Sequence, residues 1–460
     1  MSARAPKLSL LSVAWPIFIE QTLRILIGTV DTFMVSHVSD GAVAALGVAN
    51  QFVVLALISF NFIGIGASVV VTHHVGAGDR DGARRVAATA IAVNTWIGLA
   101  ASLVAFTAAA PLLRLARLPE ELMVYARPFL LLMGGTLFME AMNTAIGASL
   151  RAHGFTRDAM VVTVTQNIIN VAASATLLFG FFGAPKLGVP GVALASIFSR
   201  TVASVIFWVL LRRRLRLRLR LRDFFGLKLG SIRRILHIGV PAAGENLSYW
   251  LSLIAITSCA ARMGAVPLAA MTYTMNIQRT VILFSISLGL GTEILVGQLI
   301  GAGAFEEAHR QVRRSVRLGL LIATGAILVV AAGALPLLRL FTRDPAILAT
   351  GVFLLRLAVL YEPGRVLNIV IINALRATGD ARFPIRVAIV SEWCFSVPLC
   401  FFFGLKLHWG LGGIWAAMMT EEWVRGLFMA RRWATRRWLK HAERSRGLVA
   451  RESVPTAIES

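Results

Sequence analysis

Charge is scarce in this chain, and acidic charge most of all. Only 15% of its residues are charged, Asp and Glu together number 23 in 460 residues, and 57% are hydrophobic, with a mean hydropathy of +0.74. Such a balance excludes an ordinary soluble globular protein. Cysteine is nearly absent: Cys259, Cys394 and Cys400 are odd in number and lie in or beside apolar segments without metal-ligand spacing. They read as packing residues, not as a disulfide framework or a metal site. No His-rich set, Asp-rich pair or serine with a partnered base stands out, so a multipass membrane enzyme lacks its reactive cluster. His73 and His74 read as residues of a membrane interface. A cleavable signal is also missing, because the short basic start through Leu10 runs directly into an apolar stretch.

What the chain has in abundance is apolar length. Stretches long enough to cross a bilayer lie near 10–34, 44–72, 86–110, 122–147, 160–181 and 188–211, and again near 235–260, 268–300, 315–335, 346–373, 385–403 and 410–430. Hydrocarbon leaves backbone groups no partner but each other, so these stretches are expected to form twelve transmembrane helices.

The two sets of six are related by a constant offset. Pro16 and Glu20 return 225 positions later as Pro241 and Glu245, and Gly64 and Gly66 return as Gly289 and Gly291. Gly76-Ala77-Gly78 returns as Gly301-Ala302-Gly303, and Pro111-Leu112-Leu113-Arg114 as Pro336-Leu337-Leu338-Arg339. Leu150-Arg151-Ala152-x-Gly154 returns as Leu375-Arg376-Ala377-x-Gly379. An even number of spans per half makes this a parallel repeat about an axis along the membrane normal. The expected organisation is a six-helix bundle over 8–211, a basic linker over 212–234, a second bundle over 235–430 and a flexible basic tail over 431–460.

The net charge of +23 suggests nucleic acid until the charges are located. In the outer loops only Arg114, Arg117, Lys186, Arg262, Arg339, Arg343 and Lys406 are basic, and most of the remainder crowds the inner segments, including the run from Arg212 to Arg222. That asymmetry is the positive-inside rule, with both termini cytoplasmic in the inner membrane. The basic run reads as an orientation signal at the headgroups, and nucleic acid is not an expected partner.

Trp15-Pro16-Ile17-Phe18-Ile19-Glu20-Gln21, followed by Val30-Asp31-Thr32-Phe33-Met34-Val35-Ser36, resembles the first helix of multidrug and toxic compound extrusion (MATE) transporters. Ala44-Ala45-Leu46-Gly47, Gly76-Ala77-Gly78-Asp79, Gly297-Gln298-Leu299-Ile300-Gly301-Ala302-Gly303 and Leu375-Arg376-Ala377-Thr378-Gly379-Asp380 are similar to further signatures of that family, over about residues 8–430. The resemblance implies an all-α integral membrane fold of two six-helix bundles and export by alternating access. It also implies sodium ions or protons as the coupling ion, while the symmetry and the paired carboxylates favour amphipathic, cationic small molecules as substrates; no cofactor and a monomer as the working unit are expected. A lipid-linked precursor flippase of the same superfamily is the alternative, which calls for a strongly cationic cavity.

Coupling by such a machine calls for intramembrane carboxylates whose occupancy biases two conformations. Glu20 and Glu245 each follow a helix proline by four residues, and either carry the coupling ion or bind a neighbouring helix. Asp31 lies about 16 Å further along the helix, at the position where the family carries an aspartate implicated in cation coupling. The family's glutamate eight residues after the helix 7 proline is absent, with Tyr249 in its place. Asn143, Asn167, Asn170, Tyr249, Met271, Met275, Asn368 and Glu392 are candidates for the substrate cavity. Glu362 with Arg365, and Glu20 with Arg24, have the spacing of helical ion pairs. Glu293, Glu421 and Glu422 are expected to be solvated near the inner interface.

Overall fold

The computed structural model describes residues 8–37 and 39–453; Arg4, Lys7 and the last seven residues of the tail fall outside them. The described residues are helical throughout, without a strand. The first half contains α1 (Leu10–Ser36), α2 (Asp40–Gly76), α3 (Arg80–Thr107), α4 (Met123–Gly135), α5 (Leu137–Ala152), α6 (Thr156–Phe179) and α7 (Val189–Arg214). The second contains α8 (Leu229–Ala261), α9 (Ala265–Ala302), α10 (Phe305–Ala332), α11 (Pro345–Ala377), α12 (Arg382–Lys406) and α13 (Gly410–Ala434), with α14 (Leu439–Ser453) after it.

Among the described residues nine helices are long and apolar enough to cross a membrane, and α4 with α5 makes a tenth span bent by 45°. The remaining two of the twelve, α8 and α13, have 33 and 25 residues. They have the length of a span but carry buried ion pairs, described below, that lower their apolarity. The bend between α4 and α5 has a local cause. Gly134 and Gly135 precede Thr136, whose hydroxyl donates to the carbonyls of Leu132 (3.1 Å) and Met133 (3.2 Å). The Phe138 amide leaves the helix ladder and donates to Ser102 Oγ of α3 at 3.0 Å, so the broken turn keeps its hydrogen bonds inside the protein.

By contacts the chain divides into two compact units, one of residues 19–75 and 79–239, the other of residues 1–18, 76–78 and 240–460. The boundaries therefore fall inside α1 and α8, not at the linker as the sequence suggested. The reason is packing at the start of each repeat. Leu10, Val13, Ala14 and Ile17 of α1 belong to the same core as Val281, Leu288, Ile294 and Leu295 of α9. The start of α8, up to Gly239, lies against α2 within one unit, so closely that a Cβ on Gly66 would stand 2.1 Å from the Ile235 carbonyl oxygen and one on Gly239 would stand 2.4 Å from that of Phe62. Glycine at both positions lets the two backbones touch.

The linker and tail are both more structured than their composition suggests. Residues 216–220 have no regular secondary structure, and along the run Leu215, Leu217 and Leu219 pack on the core formed by Ile146, Leu150 and Phe207 while the alternate arginines stay exposed. Arg214 pairs with Asp158 at 2.7 Å, and Arg84 donates to the Leu215 carbonyl at 2.9 Å. The expected flexible tail is instead the helix α14. Trp438, only 1% exposed, and Ala442 join the core of α9, α10 and α13, and Trp438 stacks on Trp433 at 4.5 Å. Ser445 donates to the Thr378 carbonyl, and His441 and Arg432 both reach Asp380. Gly303, at φ +75°, tucks under Arg446, where any Cβ would meet the guanidinium at 2.5 Å.

Candidate functional site

Most of the buried charged side chains inside the spans fall into one group per unit. In the first, Glu20 of α1 accepts from Arg151 at the end of α5 at 2.8 Å and from Arg24, one turn along its own helix, at 3.3 Å. Arg24 approaches Glu140 at 4.0 Å, and Glu140 also meets Arg200 of α7 at 3.2 Å. The chain Arg151, Glu20, Arg24, Glu140, Arg200 thus alternates in sign across three helices. Asp31 is half-buried near it, acted on by the charge of Arg200, with one carboxylate oxygen enclosed and without a hydrogen-bond partner. Counting Asp31, three carboxylates face three guanidiniums.

The second unit repeats the outermost pair. Arg376 donates to Glu245 at 2.8 Å, and the partners are 131 residues apart in both halves. The repeated proline-glutamate motif is therefore tied to the repeated Leu-Arg-Ala-x-Gly motif, once in each unit. Deeper in the unit the correspondence inverts. Tyr249 stands at the repeat position of Arg24, and Arg365 at that of Glu140, each 225 later. Arg365 holds Glu362 at 2.8 Å and Glu422 at 3.6 Å, and lies 4.0 Å over the ring of Tyr361. Arg425 of α13 reaches Glu392 at 3.0 Å, Glu421 at 3.2 Å and Glu422 at 3.4 Å.

Neutral donors complete this cluster. Asn368 donates to Glu422 at 2.8 Å, Ser391 donates to Glu421 at 2.7 Å, and Ser248 donates to Glu392 while accepting from Trp393 at 3.2 Å. Glu392 opens a π-helical turn of α12 that runs to Ser396, a local widening of the kind that re-aims a side chain at functional sites. A cavity of about 20 Å³, room for one water molecule, is bounded by Tyr249, Tyr361, Glu392, Glu421 and Glu422 among others. Four buried carboxyls here face two guanidiniums, an excess of two negative charges that the first unit does not share.

The residues picked from sequence therefore divide. Glu20, Glu245, Tyr249, Asn368 and Glu392 lie in these groups. Asn143 points its amide at the Arg200 carbonyl at 3.5 Å, beside the first group. Asn167 bonds its own helix at Thr163, and Asn170 ties α6 to α7 through Ser196 at 2.9 Å. Met271 is 1% exposed inside the apolar core of Ile256, Ala260 and Trp415, and Met275 packs against that core from outside; neither borders the water-sized cavity. Phe284 stacks on Phe18 at 4.2 Å beside an apolar cavity of about 230 Å³.

Three expectations need correction. Glu421 and Glu422 are 6% and 4% exposed, not solvated, because Arg425, Ser391 and Asn368 answer their charge. Glu293 is likewise buried. His73 and His74 are buried instead of interfacial, with His74 Nδ1 at 2.9 Å from Asp79. No His, Cys, Asp and Glu grouping suited to a metal occurs among the described residues. Sequence reasoning missed Arg151 and Arg376 as partners, although their equal spacing from the two glutamates was present. It also missed Arg425, which follows Glu421 and Glu422 by the helical spacings of a pair.

A polytopic helical bundle with an internal repeat and charged lattices buried in its spans is the architecture of a membrane transporter. A family model described as MatE matches residues 16–176 and 241–402, one match in each half. The chain belongs to the MatE family. It is 40% identical over 94% of its length to "Uncharacterized transporter YisQ" of Bacillus subtilis (strain 168), covering 95% of that protein. It is 26% identical over 94% of its length to "Probable multidrug resistance protein NorM" of Thermotoga maritima, covering 93% of it. Among solved structures, an outward-facing multidrug resistance MATE family transporter matches with a TM-score of 0.82 at 20% identity, over 93% of this chain and 95% of that one. The fold is thus the twelve-helix, two-repeat MATE fold.

Proposed function

We propose that this transporter exports amphipathic, cationic small molecules from the cytoplasm across the inner membrane, exchanging them for sodium ions or protons, with both termini cytoplasmic and a monomer as the working unit. The relatives named as multidrug resistance proteins support the multidrug reading, and the asymmetric placement of basic residues supports the orientation. One observation carries the coupling: among the described residues, the second unit buries Glu362, Glu392, Glu421 and Glu422 against Arg365 and Arg425 alone. Burying unanswered charge costs several kcal/mol per ion, so two further positive charges are expected there. Protons, a sodium ion or the substrate's own cation can supply them in turn, which is the competition an antiporter requires.

Glu20, Asp31 and Glu245 enter as the remaining coupling groups. Glu20 and Glu245 act as latches: each holds the arginine at the far end of the fourth span of its half, and breaking that pair frees the end. Asp31, with one oxygen unpartnered, is the first unit's own acceptor. The test is efflux of ethidium from liposomes containing the purified protein, with sodium and proton gradients imposed separately. Export should follow one gradient and vanish in Glu20→Gln and in Glu421→Gln/Glu422→Gln; a folded protein indifferent to both gradients contradicts the reading.

A further inference from the structure

Away from the buried lattices, three helices of the second unit enclose a groove of about 410 Å³. Its wall on α10 is a ladder: His309, Arg313 and Arg317 recur every four residues on one face, with Val312 and Val316 beside them. Leu367 and Ile371 of α11 form the floor, and Ala430, Trp433 and Ala434 of α13 close the far side. One edge is therefore cationic and the remainder apolar, with no carboxylate in the lining.

The polar groups here have nothing to hold. Arg313 and Arg317 are exposed, and neither has an ion-pair partner among the described residues. His309 Nδ1 and Trp433 Nε1 are enclosed without hydrogen-bond partners, although the two rings lie parallel at 6.1 Å. Trp433 is itself buried. Nearby, Glu306 is engaged by Arg436 and Asp380 by Arg432. In the proposed orientation, α10 starts at the cytoplasmic surface, and its first three turns cross the depth at which inner-leaflet headgroups sit.

We propose that this groove is a binding site for one anionic phospholipid of the inner leaflet. Arg313 and Arg317 hold the headgroup phosphate, the indole of Trp433 donates to its oxygens, and the acyl chain lies along Val316, Leu367 and Ile371. The pairing of guanidiniums with an apolar floor selects a lipid over a free anion, and the absence of any carboxylate selects an anionic headgroup over choline. The lipid bridges α10, α11 and α13, and two of these, α11 and α13, carry the buried carboxylate cluster. Lipid composition is thereby connected to the packing around the coupling site.

The full-length protein, purified in neutral detergent and titrated with phosphatidylglycerol or phosphatidylcholine, reads this directly by native mass spectrometry. One phosphatidylglycerol should be retained in preference to phosphatidylcholine. In Arg313→Gln/Arg317→Gln that preference should fall by about fivefold for each arginine removed. Arg310→Gln/Arg314→Gln, which removes equal charge from the same helix outside the groove, should retain it. Ala434→Trp, which fills the exposed rim while keeping every charge, should lose the bound lipid. Equal losses in the two double variants, equal retention of both lipids, or displacement of the lipid by millimolar inorganic phosphate would each overturn the proposal.

Discussion

Glu20 and Arg151 show how a buried charge acquires a structural duty. Removing Arg151 leaves buried Glu20 answered only by the more exposed Arg24 at 3.3 Å, and breaking a buried pair costs at most about 3–5 kcal/mol. Arg151→Met is therefore expected to lower the thermal midpoint of the detergent-solubilised protein markedly, and Arg151→Met/Glu20→Leu to recover most of the loss. A double variant no more stable than the single one would show that the pair contributes more than mutual neutralisation. The glutamates were legible because each follows a repeated proline by four residues. Their partners were not, because 131 residues of chain separate them and periodicity reports neighbours on one helix, not contacts between helices. Glu362 with Arg365 was legible for the opposite reason, as both partners lie on α11. Glu421 and Glu422 were misjudged since proximity to a basic flank resembles solvation, whereas Arg425 belongs to the same buried face.

The bent fourth span illustrates what happens when an element must break inside hydrocarbon. The Phe138 amide depends on Ser102 Oγ, so Ser102→Ala should cost about 1–3 kcal/mol, visible as a lower thermal midpoint, while Ser102→Thr retains the acceptor. A Ser102→Ala protein as stable as wild type would mean that water or another group satisfies that amide. At the opposite end of the chain, α14 was hidden by its polarity, although Trp438, Ala442 and Val449, all buried, recur at helical spacing. Trp438→Ala should cost about 3–5 kcal/mol and accelerate proteolysis after Thr435; unchanged cleavage would return the tail to a loose extension. The basic linker was legible as an orientation signal from its charge alone. Its alternation of buried leucine with exposed arginine becomes meaningful only once a core lies beneath it.

At the scale of the whole molecule, the repeat offset and the length of the apolar stretches sufficed to specify twelve spans in two halves. Composition alone undercounts them, since α8 and α13 spend apolarity on the groups that bear charge. The repeat also encodes a difference. The halves share one ion pair, yet the first balances its remaining charges and the second does not, because Glu362, Glu392, Glu421 and Glu422 outnumber Arg365 and Arg425 there. The account assigns exchange of positive charge to that imbalance and mechanical latching to the shared pair. These roles separate in mutants. Glu20→Gln should leave cation release on substrate binding intact while abolishing export, whereas Glu421→Gln/Glu422→Gln should abolish both.

The most direct test is to add ethidium to concentrated purified protein in weakly buffered solution while recording pH and free sodium together. The account predicts release of protons or of sodium as the dye binds, unchanged in Glu20→Gln and absent in Glu421→Gln/Glu422→Gln. Dye binding without release of either ion, or release that persists undiminished when both glutamates are replaced, would contradict it.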